Sequence, residues 1–437
     1  MPRKVGPAVS TTAVDPERLF RRLAGRRGIV LAVSGGSDST ALMLLASQWR
    51  ESPPLLVVAV DHGLRPESSA EARMVAENAG RLRLPWRIVA APPRLEGGNL
   101  QDWARRVRYQ CLADAAREAG FDTIVTAHHQ DDQAETFLLR LARGSGVYGL
   151  AAMPEEGDVD GILLSRPLLG VSRHALTEIA GASALPIVDD PSNANPRFDR
   201  VRMRELMPAL AERGLTSSRV AETAARLRRA AAALDHYATA LLSDCFSADC
   251  FGAVEGDAAV LANAPEEVAL RALALILRAV GGAAYTPELD SVEALRSAIL
   301  ASARGDALRR TLHGVDLGVT NGRLTARREW GRTGLPDLAA AAGSTLVWDR
   351  RFRASVPMLE GALEIGPLGR SGAALKSPRA DVATLRTLPG LYQNGTLVAV
   401  PDRLGLSGGA LSFGSLTAEC LVAGRLNLAA GGPDMPS

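Results

Sequence analysis

The residues best suited to chemistry fall in three short segments of the first half of the chain. Ser34-Gly35-Gly36-Ser37-Asp38-Ser39 stands between an apolar run and an amphipathic stretch. Glycines let a backbone approach an anion closely. A helix that starts there offers unpaired N–H groups and the positive end of its dipole, and serine hydroxyls add donors. Ser34, Gly35, Gly36, Ser37 and Ser39 therefore read as a phosphate loop. Asp38 is out of place in it, because a carboxylate repels phosphates; a magnesium ion between the two resolves the conflict. The same residue types also make ordinary turns and caps, and it is the position after a strand that favours phosphate. The other two segments are Val60-Asp61-His62-Gly63-Leu64-Arg65 and the run from Ala127-His128-His129 through Asp131-Asp132-Gln133-Ala134-Glu135-Thr136. Asp132 and Glu135 are three residues apart, which puts them on one face of a helix. Acids gathered at a helix N-terminus to suit its dipole are the plainer alternative. His62, His128 and His129 have no cysteine near them and no H-x-x-x-H spacing, which argues against zinc. Adjacent side chains project in different directions, so at most one of His128 and His129 faces a ligand.

Short apolar runs at 28–33, 55–60, 86–90 and 123–126 read as buried strands, and amphipathic stretches at 39–48, 68–82, 100–119 and 131–141 as helices. Continuous apolar strands separated by helices imply a parallel sheet covered on both faces. The expected fold is doubly wound α/β, whose ligands bind beyond the C-terminal strand ends. All three segments fall on that rim, and Asp61, His62 and His128 are placed to touch a nucleotide. Beyond Phe198, helices are expected at 199–210, 217–242, 266–280 and 287–301, then short strands over 307–327. From Ala340 glycine, proline and short apolar runs dominate. The expected organisation is a catalytic domain over 1–215, a helical middle domain over 216–335 and a small β-rich domain over 336–437.

The 437 residues are 47% hydrophobic and 22% charged, a globular composition. The net charge of +2 decides nothing about nucleic acid. Of 50 basic residues only Lys4 and Lys376 are lysines, a bias toward the planar fork that suits phosphates, although a GC-rich genome produces the same bias. Cys111, Cys245, Cys250 and Cys420 have neither C-x-x-C spacing nor the density of a disulfide scaffold. The first residues carry early charge without an apolar run behind it, and the longest apolar runs are too short for a bilayer. The expectation is a cytoplasmic protein without membrane contact.

No G-x-x-x-x-G-K-[ST] sequence is present. The SGGxDS form resembles instead the PP-loop of ATP pyrophosphatases, which cut between the α- and β-phosphates. Further segments follow in order: Ala104-Arg105, Arg108-Tyr109, Arg143-Gly144-Ser145-Gly146, Gly149-Leu150, Arg166-Pro167-Leu168-Leu169, Asp190-Pro191-Ser192-Asn193 and Arg200-Val201-Arg202-Met203-Arg204. Each is weak alone; together, over roughly the first half, they resemble tRNA(Ile)-lysidine synthetases. The resemblance implies ATP and magnesium, an isoleucine tRNA with a CAU anticodon, and free L-lysine. The wobble cytidine would be adenylated at its C2 oxygen, and the lysine amine would then displace AMP. Asp38 would bind magnesium, Asp132 and Glu135 would grip the lysine ammonium group, and Arg105, Arg108, Arg202 and Arg204 would neutralise phosphate charge. The basic stretch at 197, 200, 202, 204, 213, 219, 226, 228 and 229 would track the tRNA backbone; a solvated helix balanced by Glu205, Glu212 and Glu222 is the alternative. Val201 stands where the family usually has Asn. A homodimer stays open. A tRNA thiolase is disfavoured by the lack of a reactive cysteine pair. A PP-loop amide synthetase has no reason for the C-terminal extension, and a nucleotide sensor has none for the acids.

Overall fold

The computed structural model describes residues 14–94, 100–188, 199–302, 307–375, 377, 380–402 and 414–428. The chain divides into two compact units, Met1–Ala231 and Ala232–Ser437.

In the first unit the chain runs α1 (Pro16–Phe20), β1 (Ile29–Ala32), α2 (Ser37–Gln48), β2 (Leu55–Asp61), α3 (Ser68–Arg81), β3 (Trp86–Ala90) and α4 (Leu100–Glu118). There follow β4 (Thr123–Val125), α5 (Gln130–Leu141), α6 (Val147–Leu150), β5 (Glu156–Val159), β6 (Ile162–Ser165), α7 (Arg173–Gly181), α8 (Asp199–Glu212) and α9 (Ser217–Cys245), which continues into the second unit. The sheet order is β3-β2-β1-β4-β6-β5, parallel except for β5 at one edge. Successive strand residues point to opposite faces, and both faces are buried. Ile29, Leu31 and Val33 join one core with α2, α3 and α7. Val30 joins the other with Leu112, Ala113, Ala115 and Ala116 of α4. This is the expected doubly wound fold; the β5–β6 hairpin was not anticipated.

α2 is buried continuously from Ser39 to Ala46, because it lies between the sheet and α7 and has no solvent face to keep polar. The strand order turns back between β1 and β4. That neighbouring pair, registered Leu31 to Val125, is the switch point at which such sheets open a crevice.

The second unit has two hydrophobic cores. One lies between α10 (Ala258–Asn263), α11 (Glu266–Val280), α12 (Leu289–Ser302) and a five-stranded sheet in the order β7-β8-β11-β10-β9. Its strands are β7 (Phe246–Ala248), β8 (Val254–Asp257), β9 (Leu308–Leu312), β10 (Val315–Thr320) and β11 (Arg323–Arg328). The other fills a seven-stranded sheet around Trp348 and Phe352. The middle region is thus less purely helical than expected: β7 and β8, three and four residues long, are too short to announce themselves. No helix among the described residues is long and apolar enough to cross a membrane.

Candidate active site at the β1/β4 switch point

The loop after β1 is shaped by its glycines and by one serine. Gly35 has φ +89°, and a Cβ there would stand 2.8 Å from Val188 Cγ2. Its carbonyl accepts the Val188 N–H at 2.9 Å. Ser39 Oγ donates to the Gly36 carbonyl at 3.1 Å and accepts the Ser34 N–H at 3.2 Å, with Ser34 Oγ 3.3 Å away. The hydroxyl that the sequence offered as an anion donor instead fastens the two ends of the loop. α2 then starts from Gly36 with no side chain capping it, so its first-turn amides and dipole are left to an anion. Ser37 Oγ donates to Asp38 Oδ1 at 3.3 Å.

One strand over, the loop after β4 closes on itself. His129 is the N-cap of α5: its Nδ1 accepts the Asp132 N–H at 3.3 Å, and Asp132 Oδ2 accepts the His129 N–H at 3.1 Å. The buried imidazole then places Nε2 3.4 Å from Asp38 Oδ2 and 3.5 Å from Asp132 Oδ2. Burial opposes ionisation of Asp38, but His129, Arg173 and Ser37 together hold its carboxyl below the usual carboxylate range. Burial likewise disfavours a charged His129, and the surrounding Asp38, Asp132 and Asp131 carry its pKa upward nonetheless. Asp131 is committed elsewhere: it accepts the Arg173 N–H at 2.8 Å and Ser217 Oγ at 2.9 Å. Glu135 is buried and takes a two-point ion pair from Arg204, at 2.8 and 3.4 Å. Burial pushes the Glu135 pKa up; the Arg204 charge opposes this, and Asp132 adds to it.

A basic side adjoins. His128 Nδ1 lies 2.8 Å from Thr126 Oγ1. Burial, then the charges of Arg166, Arg105 and Arg200, press the His128 pKa down to about 3, so the ring is neutral at physiological pH. Arg105 lies over Tyr109 at 5.4 Å, and among the described residues no carboxylate pairs with Arg105, Arg108 or Arg200. His62 stands edge-on to Trp103 at 6.1 Å, and its pKa is lowered by burial and by the Arg108 charge. Both ring nitrogens of His62 are buried without a hydrogen-bond partner among the described residues.

Residues 10–210 match the family described as PP-loop domain. The tRNA(Ile)-lysidine synthase of Methylobacterium sp. (strain 4-46) is 47% identical over 322 residues, covering 71% of this chain and 94% of that protein. That of Methylobacterium nodulans is 45% identical over 329 residues, 72% of this chain and 96% of that protein. That of Ruegeria pomeroyi is 36% identical over 381 residues, 86% and 88%. The chain belongs to the tRNA(Ile)-lysidine synthase family. It is therefore a ligase, built on a domain of the ATP-using PP-loop class. Among solved structures, the U34-tRNA thiolase NcsA from Methanococcus maripaludis is 16% identical, covering 48% of this chain and 77% of that one with a TM-score of 0.41.

Set beside the family's expected site residues, the structure gathers some and withdraws others. Asp38 and Asp132 meet on His129, and Glu135 joins them through Arg204, whose charge is felt at Asp38, Asp132 and Glu135. Asp61 is turned into its own loop, accepting the Gly63 N–H and the hydroxyls of Ser68 and Ser69. Arg202 bonds Asp199. Of the basic stretch, Arg219 bonds the Gly214 carbonyl and Arg228 the carbonyls of Ala151 and Met153. Asp190-Pro191-Ser192-Asn193 and Arg197 lie outside the described residues. Val201 is buried. Sequence reasoning placed His128 and not His129 among the ligand contacts; the signal for His129 was the spacing of a cap followed three residues later by an acid, disguised because histidine is not a usual cap. Among the described residues no group of three or more His, Cys, Asp or Glu could hold a metal. A single ionised carboxylate, Asp38, beside an uncapped helix start does fit magnesium carried in by nucleotide phosphates, since that ion is bound through one or two carboxylates plus the phosphates.

Proposed function

We propose that the chain ligates L-lysine to C2 of the wobble cytidine in a CAU-anticodon isoleucine tRNA, consuming ATP and releasing AMP and pyrophosphate. The observation that carries this reading is the pairing, at one switch point, of an uncapped helix N-terminus with the acids Asp38 and Asp132 in a chain of this family. Ser34, Gly35, Gly36, Ser37 and Ser39 shape the bed for the phosphates, and the amides of α2 receive the departing pyrophosphate. Asp38 holds magnesium, which when bound neutralises charge on the phosphates. The cytidine O2 attacks the α-phosphorus and expels pyrophosphate. The amine of lysine then attacks C2, the C2–O bond breaks, AMP departs with that oxygen and its electron pair, and the new C–N nitrogen gives up a proton.

Asp132 and Glu135 are read as the grip on the lysine ammonium group, with Glu135 yielding the Arg204 guanidinium that fills it. Arg105 and Arg108, with Arg200 beside them, are read as the phosphate-neutralising set, while Arg202 and Arg204 must first leave their carboxylates. His62 and His128 are read as contacts to the nucleotide, both neutral at physiological pH. The proposed division of labour is catalysis in 1–215, tRNA contact in the mixed helix-and-sheet segment 216–335 and a small supporting domain in 336–437. A tRNA substrate implies the cytoplasm. The reading requires no second copy of the chain, and the homodimer left open by the sequence has no support. Release of AMP that needs the CAU-anticodon tRNA supports the reading; AMP release with any tRNA, or with none, contradicts it.

A further inference from the structure

We propose that His129 is a positioning residue whose ring ties Asp38 on α2 to Asp132 on α5, with the cap of α5 deciding which ring nitrogen faces them. The inference rests on the function proposed above. A backbone N–H can only donate, so the Asp132 amide at 3.3 Å requires a lone pair on Nδ1. The ring proton therefore sits on Nε2, which lies at nearly equal distances from two carboxylate oxygens, 3.4 Å from Asp38 and 3.5 Å from Asp132, close enough for charge attraction though longer than a full hydrogen bond. The ring is buried, with 3% of its side chain exposed, so water offers it no alternative partner. The return bond, from the His129 N–H to Asp132 Oδ2, fixes the acid from the other side. Two carboxylates from helices that follow different strands are thus held by one side chain. One of them has to meet the phosphates and the other the amine.

Two substitutions separate the cap from the tie. His129→Asn puts an amide where Nδ1 stands and keeps a good N-cap, but it cannot reach Asp38. His129→Gln puts an N–H near the level of Nε2 and surrenders the cap. The account expects His129→Asn to unfold at the wild-type temperature and to bind ATP normally without magnesium. It should lose the tightening that magnesium gives, and kcat for lysine incorporation should fall roughly 10–100-fold. His129→Gln should unfold roughly 2–4 °C lower and retain more of kcat than His129→Asn. Wild-type kcat and magnesium response in His129→Asn, or equal loss of kcat in both variants, overturns the proposal while leaving the function intact. Failure of the wild-type protein to incorporate lysine overturns the function, and this proposal with it.

Discussion

Two helices begin at adjacent strand ends of the same sheet, and they begin in opposite ways. α2 starts from Gly36 with no side chain on its N-terminus, while α5 starts from His129 with a reciprocal capping box. Both face the β1/β4 crevice. An uncapped start leaves amides and dipole to a ligand, and a capped start spends them internally to hold side chains still. The first arrangement suits a site that must receive and release an anion; the second suits a site that must keep acids at a set separation. The difference lies in one residue of the loop after each strand. Gly35 has a positive φ that lets the chain turn without filling the bed. His129 has an extended backbone and a ring long enough to cap and to reach across to Asp38.

The comparison can be broken most severely on the α5 side. Arg204→Ala would leave the buried Glu135 carboxylate unpaired and should cost roughly 2–3 kcal/mol, less than a fully buried pair because Arg204 is partly exposed. Urea unfolding measures it, and a loss under half of that would mean that Glu135 finds another partner. On the α2 side, Gly35→Ala should cost about 1–3 kcal/mol of backbone strain and weaken ATP binding, since its Cβ would also press Val188. Gly36→Ala, with φ −67° and nothing within 4 Å of its added carbon, should be far milder. Equal effects at the two glycines would remove the argument for a shaped loop. Ser39→Ala should cost about 1 kcal/mol, by freeing Ser34 from Gly36, and raise the KM for ATP.

The smallest effect at neutral pH belongs to His128. Its folded pKa of about 3 lies below the 6.5 of an ordinary imidazole, so between those values the unfolded chain binds the extra proton. Stability from this group is therefore full above pH 6.5 and falls as the pH drops toward 3. His128→Gln should flatten that part of the profile of thermal midpoint against pH, and an unchanged slope would show that the ring is not held neutral.

The sheet of the first unit was legible because its strands are short, mostly apolar runs with helices between them, and the observed β2 and β3 follow those runs closely. α11 falls on the expected 266–280 because its apolar face repeats with helical period and an acidic first turn marks its start. The three segments on the rim were legible for the same reason: strand ends fix where a loop lies. What could not be read were partnerships that depend on distant residues. Gln133 exchanges two hydrogen bonds with the backbone of Met153, and Arg228 reaches the same carbonyl from 75 residues away. Nothing local to Arg228 distinguishes it from Arg226, which pairs with Glu222 one turn before it on α9. Glu135 likewise read as an open acid until α8 brought Arg204 onto it.

The central claim is that this crevice joins lysine to tRNA at the expense of ATP, with Asp38 at the phosphates. Incorporation of radiolabelled L-lysine into the CAU-anticodon isoleucine tRNA, with ATP and magnesium, tests it directly in the wild-type protein and in Asp38→Ala. The account predicts ATP-dependent incorporation by the wild type and its loss in the variant. Incorporation that survives Asp38→Ala would contradict the assignment of the phosphate site. Release of AMP without incorporation would mean that another nucleophile takes the place of lysine.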